Sequence, residues 1–242
     1  MNSLTDKTVL IVGGSAGVGF ATARRVAAAG AKPIIAGRSR ERLDAALAKL
    51  PPGARAETLD FADAASVAAL AERIGALDHL VLSASSAVAW GAFAELREEA
   101  VRAAFDNKFW GYWRVTQALA PKLGPDGAIV MVTGAAARAA LPGTSALAAV
   151  NAAIAAAAQV LAVELAPRRV NVVSPGMTDT EAYGWMEAGQ RQAMFADAAA
   201  KLPVGRIGQP DDLAEGIVFA LANPFLTGAV LDIDGGVHLP RG

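Results

Sequence analysis

The chain contains no cysteine among its 242 residues. Disulfides, thiolate nucleophiles and sulfur metal ligands are therefore excluded. The absence fits a reducing compartment, so a cytoplasmic location is expected. Histidine is nearly as scarce: His79 and His238 stand far apart with no ligand-like spacing around either, and no metal site is expected. An excess of charge of one sign is also lacking, since 22 basic residues face 23 acidic ones for a net charge of −1. No basic block stands out, which argues against nucleic acid or an anionic membrane as a partner. The N-terminal residues are polar and lack the apolar core of a secretion signal. One stretch, residues 146–166, imitates a membrane span, but Asn151, Gln159 and Glu164 interrupt it. Alanine contributes little transfer energy and buried polar groups are costly in lipid. The expectation is instead a buried helix of small side chains that packs closely on another helix. No repeat, linker or low-complexity tail divides the chain, and the length suits one domain spanning residues 1–242.

What is present is an alternation of short apolar runs and amphipathic segments. Residues 7–12 read as a buried strand, residues 13–19 as a glycine-rich turn and residues 20–30 as a helix. Strand, glycine turn and helix form the context in which such a loop cradles a dinucleotide pyrophosphate. Further strands are expected at residues 31–37, 54–59, 78–83, 128–133, 169–174 and 226–234. Helices are expected at 38–50, 63–74, 98–119, 144–166 and from Pro210 onward, with an irregular helical region at 180–201. Ser39 is a candidate N-cap, and Pro210 stands near a first helical turn that carries Asp211 and Asp212. This order predicts an α/β, doubly wound Rossmann fold with a parallel sheet covered on both faces.

The end of the second strand selects the cofactor. An acidic residue there holds a free ribose 2′-hydroxyl, whereas an arginine accommodates a 2′-phosphate. Here the strand ends in Gly37, Arg38 and Ser39. Arg38 offers a charge-assisted contact and Ser39 a hydroxyl, so NADP(H) is expected over NAD(H).

Several stretches together resemble the short-chain dehydrogenase/reductase family. They are the glycine loop, Asp60-Phe61, residues 161–165, residues 171–176 with Thr180, residues 205–213 and residues 227–236. The resemblance covers essentially the whole chain. It implies a seven-stranded parallel sheet, a nicotinamide cofactor, a small-molecule substrate and a homotetramer or homodimer assembled through the helices of residues 98–119 and 144–166. It implies that Gly13, Ser15, Gly17, Val18 and Gly19 meet the pyrophosphate, and that Asp60 and Phe61 flank adenine. Ala84 would line the cofactor, and Pro175, Gly176, Thr178 and Thr180 would hold the nicotinamide end.

The same resemblance exposes a break in the pattern. Members of the family use a tyrosine as proton donor, a lysine four residues later, a serine and an asparagine. Aligned through neighbours that match, the tyrosine position falls on Leu147, the lysine position on Asn151 and the serine position on Gly134. The asparagine position falls on Lys108, or on Asn107 if the register slips by one. Leucine has no proton to give. Lys108 and Asn151 look like an exchange of lysine and asparagine between neighbouring helices, with Thr133, Ser145 and Ser83 supplying hydroxyls nearby. Lys108, Asn151 and Thr133 are therefore the candidate catalytic residues. Tyr183, Trp185, Met186, Met194 and Phe195 fall where the family keeps its substrate lid, and Tyr183 is a conceivable relocated acid. The reading is an NADP(H)-dependent oxidoreductase acting on a small, apolar carbonyl or alcohol through a non-standard proton donor. The alternatives are a cofactor-binding protein without turnover, and a non-redox isomerase or lyase in the same pocket.

Overall fold

Runs of Val, Ile and Leu without polar alternation form strands buried on both faces. In the computed structural model, which describes residues 3–84 and 89–239, the strands are β1 (Thr8–Val12), β2 (Lys32–Gly37), β3 (Arg55–Thr58), β4 (Leu77–Leu82), β5 (Leu123–Val132), β6 (Arg169–Pro175) and β7 (Val230–Ile233); the rule holds for the inner strands, while β3 and β7 are more exposed. They form one parallel sheet in the order β3-β2-β1-β4-β5-β6-β7. The order reverses between β1 and β4, which opens a crevice beyond the carboxyl ends of those strands. The single-domain, seven-stranded doubly wound fold expected from the sequence is thus present.

Helices α1 (Gly17–Ala28), α2 (Arg40–Leu47), α3 (Ala64–Arg73), α4 (Glu98–Ala104), α5 (Trp110–Leu119), α6 (Ser145–Glu164), α7 (Ala188–Ala200) and α8 (Pro210–Ala222) connect the strands. The period of two in each strand sends alternate side chains into separate cores. Leu10, Leu82, Met131 and Val172 pack under α3, α5 and α6. Val9, Ile11, Val130 and Val173 pack under α1 and α8. Ser39 caps α2 by accepting from the Arg42 N–H at 3.2 Å. Asp63 caps α3, and Gln209 with Asp212 forms a capping box ahead of Pro210.

Four elements depart from the sequence expectation. The helical region of residues 98–119 is not continuous: a π turn at Phe105–Phe109 separates α4 from α5. β5 starts earlier than expected, with a register irregularity opposite Leu77 and His79, and β7 is shorter. Finally, α6 buries one face only. Ala146, Val150, Asn151, Ile154, Ala158 and Ala162 face the core, while Val160 and Val163 are exposed. By length and composition this helix alone among the described residues is apolar enough to cross a membrane, but its inner stripe is packed against the sheet.

Candidate active site

The glycine loop is shaped by close approach. A Cβ at Gly19 would lie 2.1 Å from the Gly13 carbonyl oxygen, and one at Gly13 would lie 2.7 Å from the Ala84 nitrogen. Gly13 also takes a φ of +85°, a region side chains avoid. Among the described residues no side chain caps the N-terminus of α1, and no acidic residue stands in its first turn. The first N–H groups of that helix are thus left to an anionic ligand. Ser83 does not offer its hydroxyl to the site as expected: it donates to the Val12 carbonyl at 3.0 Å, beneath Gly19.

At the end of β2, three arginines stand close in sequence but differ in engagement. Arg40 pairs with Asp44 at 2.7 Å. Arg38 is exposed and makes no ion pair among the described residues, so its guanidinium is available beside the Ser39 hydroxyl. At the end of β3, Asp60 accepts from the Ala62 N–H at 3.1 Å. The Phe61 ring turns inward: it is 5% exposed, a Cβ at Gly111 would meet it at 2.2 Å, and it packs on Tyr112. Any contact Phe61 makes with a ligand in the crevice comes from its main chain, because burial holds the ring in the core.

The centre of the site forms where α4, α5, α6 and the end of β5 converge. The Lys108 ammonium donates to the Thr133 carbonyl at 3.0 Å and to Asn151 Oδ1 at 2.8 Å. The structure thereby brings Lys108, Asn151 and Thr133 together. Two of the three ammonium donors are used, leaving one for a bound molecule. Desolvation, with no carboxylate beside it, lowers the Lys108 pKa from 10.5 to about 8. Gly134 makes the arrangement possible, since a Cβ there would lie 2.9 Å from Asn151 Nδ2. Leu147 sits one turn before Asn151 on α6 and is half-buried.

The π turn decides the register of this stretch. A π turn displaces main-chain hydrogen bonds by one residue, and Asn107 Nδ2 donates to the Ala103 carbonyl at 2.8 Å. Lys108 rather than Asn107 therefore faces the centre. Tyr112 is no proton donor for the pocket: it is buried, its one hydroxyl proton is shared between the Ala84 and Val132 carbonyls, and burial raises its pKa. Thr133 takes part through its carbonyl, because its hydroxyl lies 3.4 Å from the Val173 carbonyl. The Ser145 side chain begins α6 at an exposed position.

The loop after β6 completes the crevice. Gly176 packs on the main chain of Asp234, where a Cβ would stand 2.6 Å from the carbonyl oxygen. Thr178 donates to the Gly176 carbonyl at 3.0 Å and bridges to Gly208. Thr180 caps the following turn, and its methyl lies 3.4 Å from a Cβ built on Gly17. The segment reaches back to the glycine loop because Arg191 clamps Asp179 and the Thr180 carbonyl. Tyr183 meets Phe195 edge-on at 5.2 Å, and burial raises its pKa, which disfavours a role as an acid-base group at neutral pH.

A doubly wound sheet with an uncapped glycine-rich helix start at its switch point defines a dinucleotide-binding oxidoreductase frame. The family description "Enoyl-(Acyl carrier protein) reductase" matches residues 13–238. The chain is 35% identical to an uncharacterized oxidoreductase of Methylorubrum extorquens, covering 98% of this chain and 100% of that one. A small-chain dehydrogenase solved in complex with NADPH superposes with a TM-score of 0.85 at 34% identity, over 97% of this chain and all of that one. A short-chain oxidoreductase from Pseudomonas aeruginosa PAO1, with NADPH bound and an atypical catalytic center, gives 0.89 at 30% identity over the whole of both chains. The protein belongs to the short-chain dehydrogenase/reductase family, and its cofactor is a nicotinamide nucleotide.

Proposed function

We propose that the protein is an NADP(H)-dependent oxidoreductase that interconverts a small apolar carbonyl and its alcohol, with Lys108 as the proton donor. The observation that carries the reading is the enclosed Lys108 ammonium, held by Thr133 and Asn151 with one donor left over and a pKa lowered to about 8. The bound cofactor supplies the hydride chemistry. Gly13, Ser15, Gly17, Val18 and Gly19 would hold its pyrophosphate, and Arg38 with Ser39 its 2′-phosphate. Asp60 and the main chains of Phe61 and Ala84 would line adenine and ribose, and Pro175, Gly176, Thr178 and Thr180 the nicotinamide end. The uncapped start of α1 and the unpaired Arg38 support that fit. The chain's own part is to hold the substrate oxygen near Lys108, exclude water and deliver a proton. Exposed Trp90 and Trp185, at 61% and 81%, favour an apolar substrate under the lid. The open apolar faces of α5 and α6 favour a homodimer or homotetramer.

Leu147, at the position that the family gives to its tyrosine, favours a second reading: cofactor binding without redox turnover. One experiment separates the two. NADPH and NADH are titrated against tryptophan fluorescence, and NADPH absorbance is then followed with a panel of ketones and aldehydes. The first reading expects tighter binding of NADPH, substrate-dependent oxidation, and its loss in Lys108→Met with NADPH affinity kept. Tight binding with no turnover across the panel supports the second. Turnover unchanged in Lys108→Met removes Lys108 as the donor.

A further inference from the structure

No metal-ligand spacing surrounds His238 in the sequence, yet the fold gathers acidic groups to it. Alternation along β7 sends Val230 into the core under α6 and Leu231 and Ile233 into the core under α8. Asp232 therefore projects toward the α6 side. Its register neighbour on β6 is Ser174, which projects the same way because Val172 and Val173 fall in those two cores respectively. Ser174 is 1% exposed and its hydroxyl has no hydrogen-bond partner among the described residues. Asp232 Oδ1 is likewise buried without a partner, while Oδ2 pairs with Arg138 at 3.1 Å. Two buried polar atoms on register-paired residues thus lack partners among the described residues, a situation folded proteins resolve with a bound water or ion.

Beyond β7, Gly235 and Gly236 adopt φ values of +67° and +85° and turn the chain back. That turn brings His238 Nδ1 to 2.6 Å from Asp234 Oδ2. One ligand atom each from Asp232, Asp234 and His238 lies within 4.8 Å of the others. Three atoms so spaced share a centre within about 2.8 Å of each, and metal–ligand bonds run about 2.0–2.6 Å. Small side-chain rotations close the difference. The Arg206–Asp212 pair lines the same space, so three carboxylates face two guanidinium groups and one negative charge is left to be offset. A cavity of about 330 Å³ lined by Gly176, Met177, Asp232, Asp234 and His238 gives an ion a way in.

We propose that Asp232, Asp234 and His238 form a site for one divalent cation of the Mn2+ type, with the Ser174 hydroxyl as a further oxygen donor. Hard oxygen ligands with a single imidazole match that class. The ion would pin two loops of the crevice: the one carrying Thr133 and Gly134 through Arg138, and the one carrying Gly176 through Asp234. Its role is structural. The test needs no substrate. Protein stripped with EDTA is titrated with Mn2+, and free ion is read by electron paramagnetic resonance. The expected result is one ion per chain, a rise in melting temperature, and at least tenfold weaker binding in Asp232→Asn and in His238→Gln. Circular dichroism establishes that each variant is folded, and Ser174→Ala provides the same comparison if Asp232→Asn is not. One-for-one displacement of Mn2+ by Zn2+ also supports the site. No saturable binding by the parent protein, as when water alone fills the gap, overturns the proposal. So does equal affinity in the parent and the folded variants.

Discussion

At the scale of single residues, burial sets two opposite roles for titratable groups. Lys108 has a folded pKa of about 8 against 10.5. The unfolded chain binds more protons between those values, so stability rises as pH goes from about 8 to 10.5. Urea denaturation across that window is expected to show the slope in the parent protein and to lose it in Lys108→Met. If the ammonium is the acid, carbonyl reduction falls as pH passes about 8, while alcohol oxidation rises; steady-state rates in both directions check this. His79 is buried and its Nδ1 accepts from the Ala128 N–H at 3.1 Å. Desolvation lowers its pKa from 6.5 to about 4. Stability present above 6.5 is therefore lost as pH falls through 4, by up to about 3 kcal/mol at 1.36 kcal/mol per unit. His79→Asn is expected to flatten that acid limb in denaturation curves.

At the scale of elements, the π turn and a helix end carry specific loads. Asn107→Ala removes the amide that donates to the Ala103 carbonyl at the π turn. A loss of about 1–2 kcal/mol is expected in urea titrations, together with a shift of any rate-linked pKa that reports Lys108. At the end of α8, the Arg169 guanidinium donates to the Ala220, Leu221 and Leu226 carbonyls at 2.6–3.1 Å. Arg169→Leu leaves the Ala220 and Leu221 carbonyls without their guanidinium donor, while the Leu226 carbonyl keeps the Asn171 amide, and is expected to cost roughly 2–4 kcal/mol by the same measurement. Arg169 was read from the sequence only as the first residue of a strand; its capping role depends on a helix some fifty residues away. The start of α8, by contrast, was legible, because Pro210, Asp211 and Asp212 are neighbours in sequence.

At the scale of the molecule, the doubly wound sheet aligns distant segments along one crevice. Gly13, Ala84, Thr133 and Gly176 follow or terminate β1, β4, β5 and β6, so parallel pairing alone sets them side by side. Trp110, Trp113, Val160 and Val163 remain exposed on α5 and α6. A second copy of the chain is expected to cover them. Light scattering coupled to size exclusion should report a dimer or tetramer, and Val163→Glu should shift it toward monomer.

The sequence by itself determined the sheet, the glycine loop, the Arg38 end of β2 and the rough identity of the central cluster. These follow from local rules: period-two burial, the conformational freedom of Gly13, and caps made by near neighbours. The boundaries of β5 and β7, the single buried face of α6 and the break between α4 and α5 were decided by packing against partners remote in the chain. Alignment already favours Lys108 over Asn107, and the tertiary structure supplies a physical reason: a π turn spans both residues and the Asn107 amide is held on the Ala103 carbonyl. Only the tertiary structure turned the Phe61 ring inward, drew the Ser83 hydroxyl under the loop, and brought His238 back onto Asp234 beside Asp232. Each of these depends on a distance across the fold, and no periodicity in the sequence encodes it.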